Sequence, residues 1–168
     1  MKTARFERGE LDFSIHACPK PLFREAKFVF PFLQKEEATS QESLLVIPTA
    51  QQARHDLVKV GPEIEEEKDR LLEVFMSFAK DVCTELRHLG HWADYIDPCS
   101  GLPMMTEDCN KVYSEVDGFE VLLHYKTMNC GCCKVLLHPS WGSGVYPATM
   151  FTTAPRDIVT AIFDRYAI

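Results

Sequence analysis

The stretch from Pro62 to Gly90 reads PEIEEEKDRLLEVFMSFAKDVCTELRHLG. Leu71, Phe75, Phe78, Val82, Leu86 and Leu89 recur three and four residues apart, and Leu72, Ala79 and Cys83 widen the stripe. That is the period of a helix with one buried face. The acidic run Glu63 to Glu67 falls in the first turns, and Arg87 and His88 fall in the last. Both placements suit the helix dipole. Pro62 can open the helix, and Gly90 can close it in a left-handed conformation. The spacing predicts one long helix over about 62–89, around which the rest of the chain must be arranged.

On the N-terminal side, residues 1–12 are expected to be a frayed segment, with one globular domain over 13–168. Phe13, Ile15 and Ala17 alternate with Ser14 and His16, as in a short strand closed by Pro19 and Pro21. Leu22, Phe23, Ala26, Val29 and Phe30 have helical spacing, and Pro31 ends that helix. Residues 34–43 read as a polar loop. Leu44 to Thr49 is an apolar run fit for a buried strand, and His55 to Val60 reads as its partner.

Beyond Gly90 the pattern turns to strands: Trp92 to Asp97, Phe119 to Lys126, Cys132 to His138 and Val145 to Thr152. The 98–110 loop is rich in Pro, Gly and Ser. Turn signals around Asn129-Cys130-Gly131 and Trp141 to Gly144 are short enough for antiparallel neighbours. Pro155 opens a last helix bearing Ile158, Ile162 and Tyr166. The expected fold class is α+β, a mainly antiparallel sheet with a long central helix.

The chain has 168 residues, enough for one domain with a real core. Hydrophobic residues are 46% and charged residues 26%, the profile of a globular chain. Its net charge of -7 and lack of a basic stripe argue against a nucleic-acid partner. No apolar run approaches a membrane span, and the first ten residues lack a secretory apolar core. Seven cysteines cannot all pair within one chain. A disulfide scaffold is therefore disfavoured, and thiol chemistry comes forward.

Three of the seven stand together in Cys130-Gly131-Cys132-Cys133-Lys134. Strand alternation would put Cys132 and Cys133 on opposite faces, one packed and one presented. Lys134 would favour a nearby thiolate, which is both nucleophile and metal ligand. Single cysteines usually pack as small hydrophobes, but a cluster at a turn is poorly explained that way. A structural zinc site would need a second ligand pair, and Cys99, Cys109, His124 and His138 do not supply one at close spacing. A thioredoxin-like C-x-x-C normally opens a helix, whereas this one precedes a strand. Other candidates have plainer readings. Gly142-Ser143-Gly144 lacks a following helix, and Asp94 and Asp97 would lie on opposite faces of a strand. His88 and His91 suit a helix end, and Trp92 and Trp141 suit core or interface anchors.

Two separated signatures are familiar. One is Gly90-His91-Trp92-Ala93-Asp94-Tyr95-Ile96-Asp97-Pro98 with Ser100-Gly101-Leu102. The other is Gly131-Cys132-Cys133-Lys134-Val135, followed by His138, Trp141-Gly142 and Phe151-Thr152. In both, the chain resembles the methylmalonic aciduria and homocystinuria type D protein family, with weaker similarity running back to about Phe13. The resemblance implies a nitroreductase-like fold without flavin and without catalysis of its own. It implies a cobalamin-trafficking adaptor that docks on the type C cobalamin-processing protein. That adaptor directs the cofactor to methionine synthase and to methylmalonyl-CoA mutase. It further implies cobalt coordination by a cysteine in complex with the partner; here the candidates are Cys132 and Cys133, and which of them binds stays open.

Cys130, just ahead of the Gly-Cys-Cys, is additional to the family pattern, and the loop after Leu102 is shorter than in the family. The family's long N-terminal segment with its mitochondrial leader has no counterpart here. The chain is thus expected to correspond to the globular C-terminal domain in a cytoplasmic form, or a mitochondrial one if a native leader precedes it. The alternative from another class is a thiol oxidoreductase or a flavin-dependent nitroreductase-type enzyme.

Overall fold

The computed structural model describes residues 1–35 and 43–168. The polar loop expected over 34–43 falls mostly outside them. Among the described residues, eight strands and four α-helices follow in the order β1 (Lys2–Phe6), β2 (Gly9–Phe13), β3 (His16–Ala17), α1 (Lys20–Val29), β4 (Leu45–Gln52), α2 (Pro62–His88), β5 (Ala93–Tyr95), α3 (Glu115–Leu123), β6 (Lys126–Cys130), β7 (Cys133–Leu137), β8 (Val145–Thr152) and α4 (Arg156–Asp164). The fold is α+β. Its main sheet is antiparallel in the order β1-β2-β4-β8-β5, with β3 also paired to β4, and β6 and β7 form a separate two-stranded sheet.

The central strands β4 and β8 pair over their whole length, from Leu45 opposite Thr152 to Gln52 opposite Val145. Helices cover both their faces. Leu45, Ile47, Ala148 and Met150 join the cluster built by Phe75, Phe78, Val82 and Leu86 of α2 and Val159, Ile162 and Phe163 of α4. Leu44, Val46 and Phe151 face the other way, onto Leu22, Ala26, Val29 and Phe30. Burial on both faces is why these strands read as continuous apolar runs. Phe75 is fully buried, a contribution of roughly 1.5–3 kcal/mol for such a side chain.

Proline in a central strand removes a ladder donor. Pro48 stands where β2 gives way to β3, and its carbonyl accepts from the Ser14 N–H at 3.3 Å. The missing donor therefore falls at a break in the ladder.

Several expectations are corrected. The N-terminal residues are not frayed: Lys2 to Phe6 pairs with Phe13 to Gly9, and Ala4, Leu11 and Phe13 are buried. The strand expected over Phe13 to Ala17 is divided, with β2 ending at Phe13 and β3 starting at His16. His55 to Val60 forms turns instead of a strand. There Asp56 Oδ1 accepts from the Val58 N–H at 3.1 Å and from Ser143 Oγ at 2.6 Å, a local competitor to a ladder. Most of Phe119 to Lys126 is helix α3, begun by Ser114, whose hydroxyl accepts from the Asp117 N–H at 3.3 Å. The turn at Asn129 to Gly131 does join antiparallel neighbours, β6 and β7, but the one at Trp141 to Gly144 does not, since β8 lies between β4 and β5.

Candidate functional site

The three clustered cysteines lie at the tip of the β6–β7 hairpin. Its loop is two residues, Gly131 and Cys132, between the opposed pair Cys130 and Cys133. Gly131 has φ +62°, the conformation a tight hairpin needs at its first central position. Cys130, Cys132 and Cys133 are all exposed, with Cys132 Sγ 4.0 Å from Cys133 Sγ. The expectation that Cys132 and Cys133 stand on opposite strand faces fails because Cys132 belongs to the turn. Neither is packed.

The base of the hairpin is fixed. Thr127 is opposite Leu136 and Asn129 opposite Lys134, so these four share a face. Leu136 is buried with Phe119, Ala50 and Val145. Lys134 Nζ donates to Asp117 Oδ1 at 3.1 Å and to Glu120 of the same helix, and Thr127 Oγ1 donates to Glu120 Oε1 at 3.0 Å. Hydrogen bonding to Glu120, then to Asp117, raises the Lys134 ammonium above its usual value. The Glu120 carboxyl is lowered in turn, chiefly by Lys134. Asp117 and Glu120 stand three apart, which puts both carboxylates on one face of the helix. Reading this segment as a strand concealed it.

This geometry corrects a second expectation. By alternation Lys134 points to the face opposite Cys133, where carboxylates hold it. It does not sit beside the sulfurs. The Cys133 thiol is raised above the usual cysteine value, first by the hydrogen bond with Cys132 and then by the charge interaction with it. The expected low thiol pKa is not found at Cys133. The face shared by Cys130 and Cys133 also carries Met128 and Val135, directly opposite one another.

Below the hairpin, His138 stacks on Trp141 at 3.8 Å and 9°, and Tyr125 meets its edge at 5.3 Å. The N–H groups of Ser140 and Trp141 donate to His138 Nδ1 at 3.1 and 3.2 Å. Burial lowers the His138 pKa. The ring is thus a neutral acceptor that shapes the turn. His138 and Gly142 also exchange backbone hydrogen bonds at 2.8 and 2.9 Å. The second signature as far as Gly142 therefore folds as one unit, a cysteine tip on an aromatic foot, whereas Phe151 and Thr152 lie in β8 of the main sheet.

The first signature builds the far edge of the main sheet. Asp94 is fully buried and accepts from the N–H groups of Tyr95 and Met105 at 2.8 and 2.9 Å, and from Thr106. Asp97 accepts from the Cys99 N–H at 2.9 Å and from Ser100 Oγ at 3.0 Å. Trp92 packs between Phe30 and Phe32, at 5.0 and 5.4 Å. These residues brace the loop after the sheet edge.

The other cysteines are differently placed. Cys18 and Cys83 are buried, and burial pushes the Cys18 thiol up to about 12. Cys83 is raised for the same reason. Cys99 is exposed and Cys109 half-buried. Among the described residues, no three His, Cys, Asp or Glu are arranged to hold a metal ion. No described helix is long and apolar enough to cross a membrane.

Residues 2–162 match the family model described as methylmalonic aciduria and homocystinuria type D protein. The chain is 36% identical over 152 residues to the cobalamin trafficking protein CblD of Rattus norvegicus, covering 90% of this chain and 49% of that one. Over the same shares it is 36% identical to the protein of that name in Mus musculus and 33% to that in Homo sapiens. The chain thus spans about half the length of these relatives. A match over nearly all of its residues, which include both signatures, establishes that this chain belongs to the methylmalonic aciduria and homocystinuria type D protein family.

Proposed function

We propose that this chain is a cobalamin-trafficking adaptor, which docks on the type C cobalamin-processing protein and offers a thiolate to cobalt. The observation that carries the reading is the hairpin tip, where three exposed sulfurs stand on a base fixed by Lys134, Asp117 and Glu120. The printed name of its relatives, cobalamin trafficking protein, supports it. Thiolates are soft ligands suited to cobalt in a macrocycle. One sulfur, of Cys132 or Cys133, holds cobalt while the partner's own contacts loosen. The act is a handover to methionine synthase and methylmalonyl-CoA mutase, without turnover. On this reading the frame is nitroreductase-like and works without flavin. It acts in the cytosol, whose reducing poise favours free thiols.

The test mixes the chain with type C protein carrying cob(II)alamin and records optical and electron paramagnetic spectra. A thiolate-to-cobalt signal is expected, and Cys132→Ser or Cys133→Ser removes it, identifying the ligand. No signal, and no complex on gel filtration, overturns the proposal. A yellow preparation, or disulfide reductase turnover lost in Cys130→Ser, would move the assignment to the flavin or thiol oxidoreductase class.

A further inference from the structure

Cys130 and Cys133 are the last residue of β6 and the first of β7, directly opposed in the ladder. Directly opposed residues in an antiparallel pair have Cα atoms about 4.5–5.5 Å apart. Disulfides span about 4.4–6.8 Å between Cα atoms, so this pair lies within bridging range. The Cys132 and Cys133 sulfurs lie 4.0 Å apart, yet this pair is worse placed for a bond. Their peptide is trans, as all are in the described chain. That sets their Cα atoms about 3.8 Å apart, below the range a disulfide accepts. Cys132 also stands in the loop and has no opposed residue.

We infer that Cys130 and Cys133 are a site of reversible thiol modification, closed to a cross-strand disulfide by exchange with a low-molecular-weight disulfide such as oxidised glutathione. The Cys130 thiolate attacks one glutathione sulfur, which forms a mixed disulfide and releases one glutathione thiolate. Cys133 then attacks the Cys130 sulfur, which forms the Cys130–Cys133 bond and releases the second. The two cysteines lose two electrons and two protons, and the glutathione disulfide gains both to become two thiols. Both residues are exposed, so the reagent can reach them. The hairpin base is anchored through Leu136 and Lys134, so the ring closes on a strand pair already in register. Cys132 is left as the free thiol of the tip. The consequence for cargo rests on the trafficking reading above: the bridge withdraws Cys133 from the sulfurs available to cobalt.

The test equilibrates the full chain in glutathione buffers of graded oxidation, quenches with an alkylating agent, and maps peptides by mass spectrometry. The expected product links Cys130 to Cys133 and leaves Cys132 alkylated. Cys130→Ser should instead keep glutathione on a tip cysteine. A Cys132–Cys133 link, a lasting glutathione adduct on the unmodified chain, or no oxidation at the tip overturns the inference. The cobalt spectra are then compared for reduced and bridged chain. A missing bridge overturns this inference and leaves the trafficking reading standing. A bridge with no cobalt signal from the reduced chain overturns that reading and leaves this one standing.

Discussion

Lys134 Nζ lies 3.1 Å from Asp117 Oδ1, which ties the strand carrying Cys133 to the helix before it. The pair is largely exposed, so it adds little to global stability. Its effect is local. Replacing Lys134→Met is expected to leave the melting temperature nearly unchanged and to speed amide exchange across 126–137 by several-fold. Hydrogen–deuterium exchange checks this. Unchanged exchange in the hairpin would show that Leu136 and Thr127 fix it without Lys134.

Glu67 of α2 accepts from Arg70 Nη2 at 2.6 Å and from the Arg54 N–H at 2.8 Å. The Arg70 hydrogen bond, chiefly, pulls its carboxyl from 4.5 to about 2. A depressed folded pKa stabilises above the unfolded value and is lost as pH falls. The expected loss runs from about pH 4.5 down to about 2. Solvent at Arg70 screens the pair, so the effect is about 1–2 kcal/mol. Denaturant titrations of the native chain and Glu67→Gln should converge over that window.

Glu115 has the opposite sign. Burial is the main cause that raises its carboxyl to about 8, against the hydrogen bond it accepts from Thr149 Oγ1 at 2.5 Å. Its Oε1 is shut off from solvent and has no hydrogen-bond partner among the described residues, as is true of the Tyr113 hydroxyl. A raised folded pKa gives stability that is full below about 4.5 and lost as pH rises through about 8. Glu115→Gln, which keeps the neutral shape, is expected to melt higher than the native chain at pH 9 and close to it at pH 4. Thermal scans at both values check this.

Gly118 lies inside α3, where glycine costs about 1 kcal/mol relative to alanine. A Cβ there would stand 2.0 Å from the Tyr113 hydroxyl oxygen. Overpacking of this kind costs about 1–3 kcal/mol. The clash outweighs the propensity gain, so Gly118→Ala is expected to destabilise. Restoring room with Tyr113→Phe in the same chain should recover part of the loss in a double-mutant cycle.

The long helix was legible because its stripe repeats over many turns, and every predicted member but Leu89 and Leu72 is buried. The central strands were legible because both faces are covered. Helix α3 was not. Its Val121, Leu122 and Leu123 resemble a strand, and its real signals were the Ser114 cap and the acidic Glu115 and Asp117 of its first turn. The N-terminal hairpin was hidden by polar outward residues, with Ala4, Leu11 and Phe13 buried and Phe6 packed on Phe78. At the site, the concentration of thiols could be read directly. Their directions could not, because a two-residue turn interrupts the alternation that assigns faces.

That turn also fixes what leads the tip. Gly131 and Cys132 stand beyond the last paired residues, so the exposed Cys132 has no paired strand ahead of it. A thiol carried on such a projection can be offered to an atom recessed below a rim.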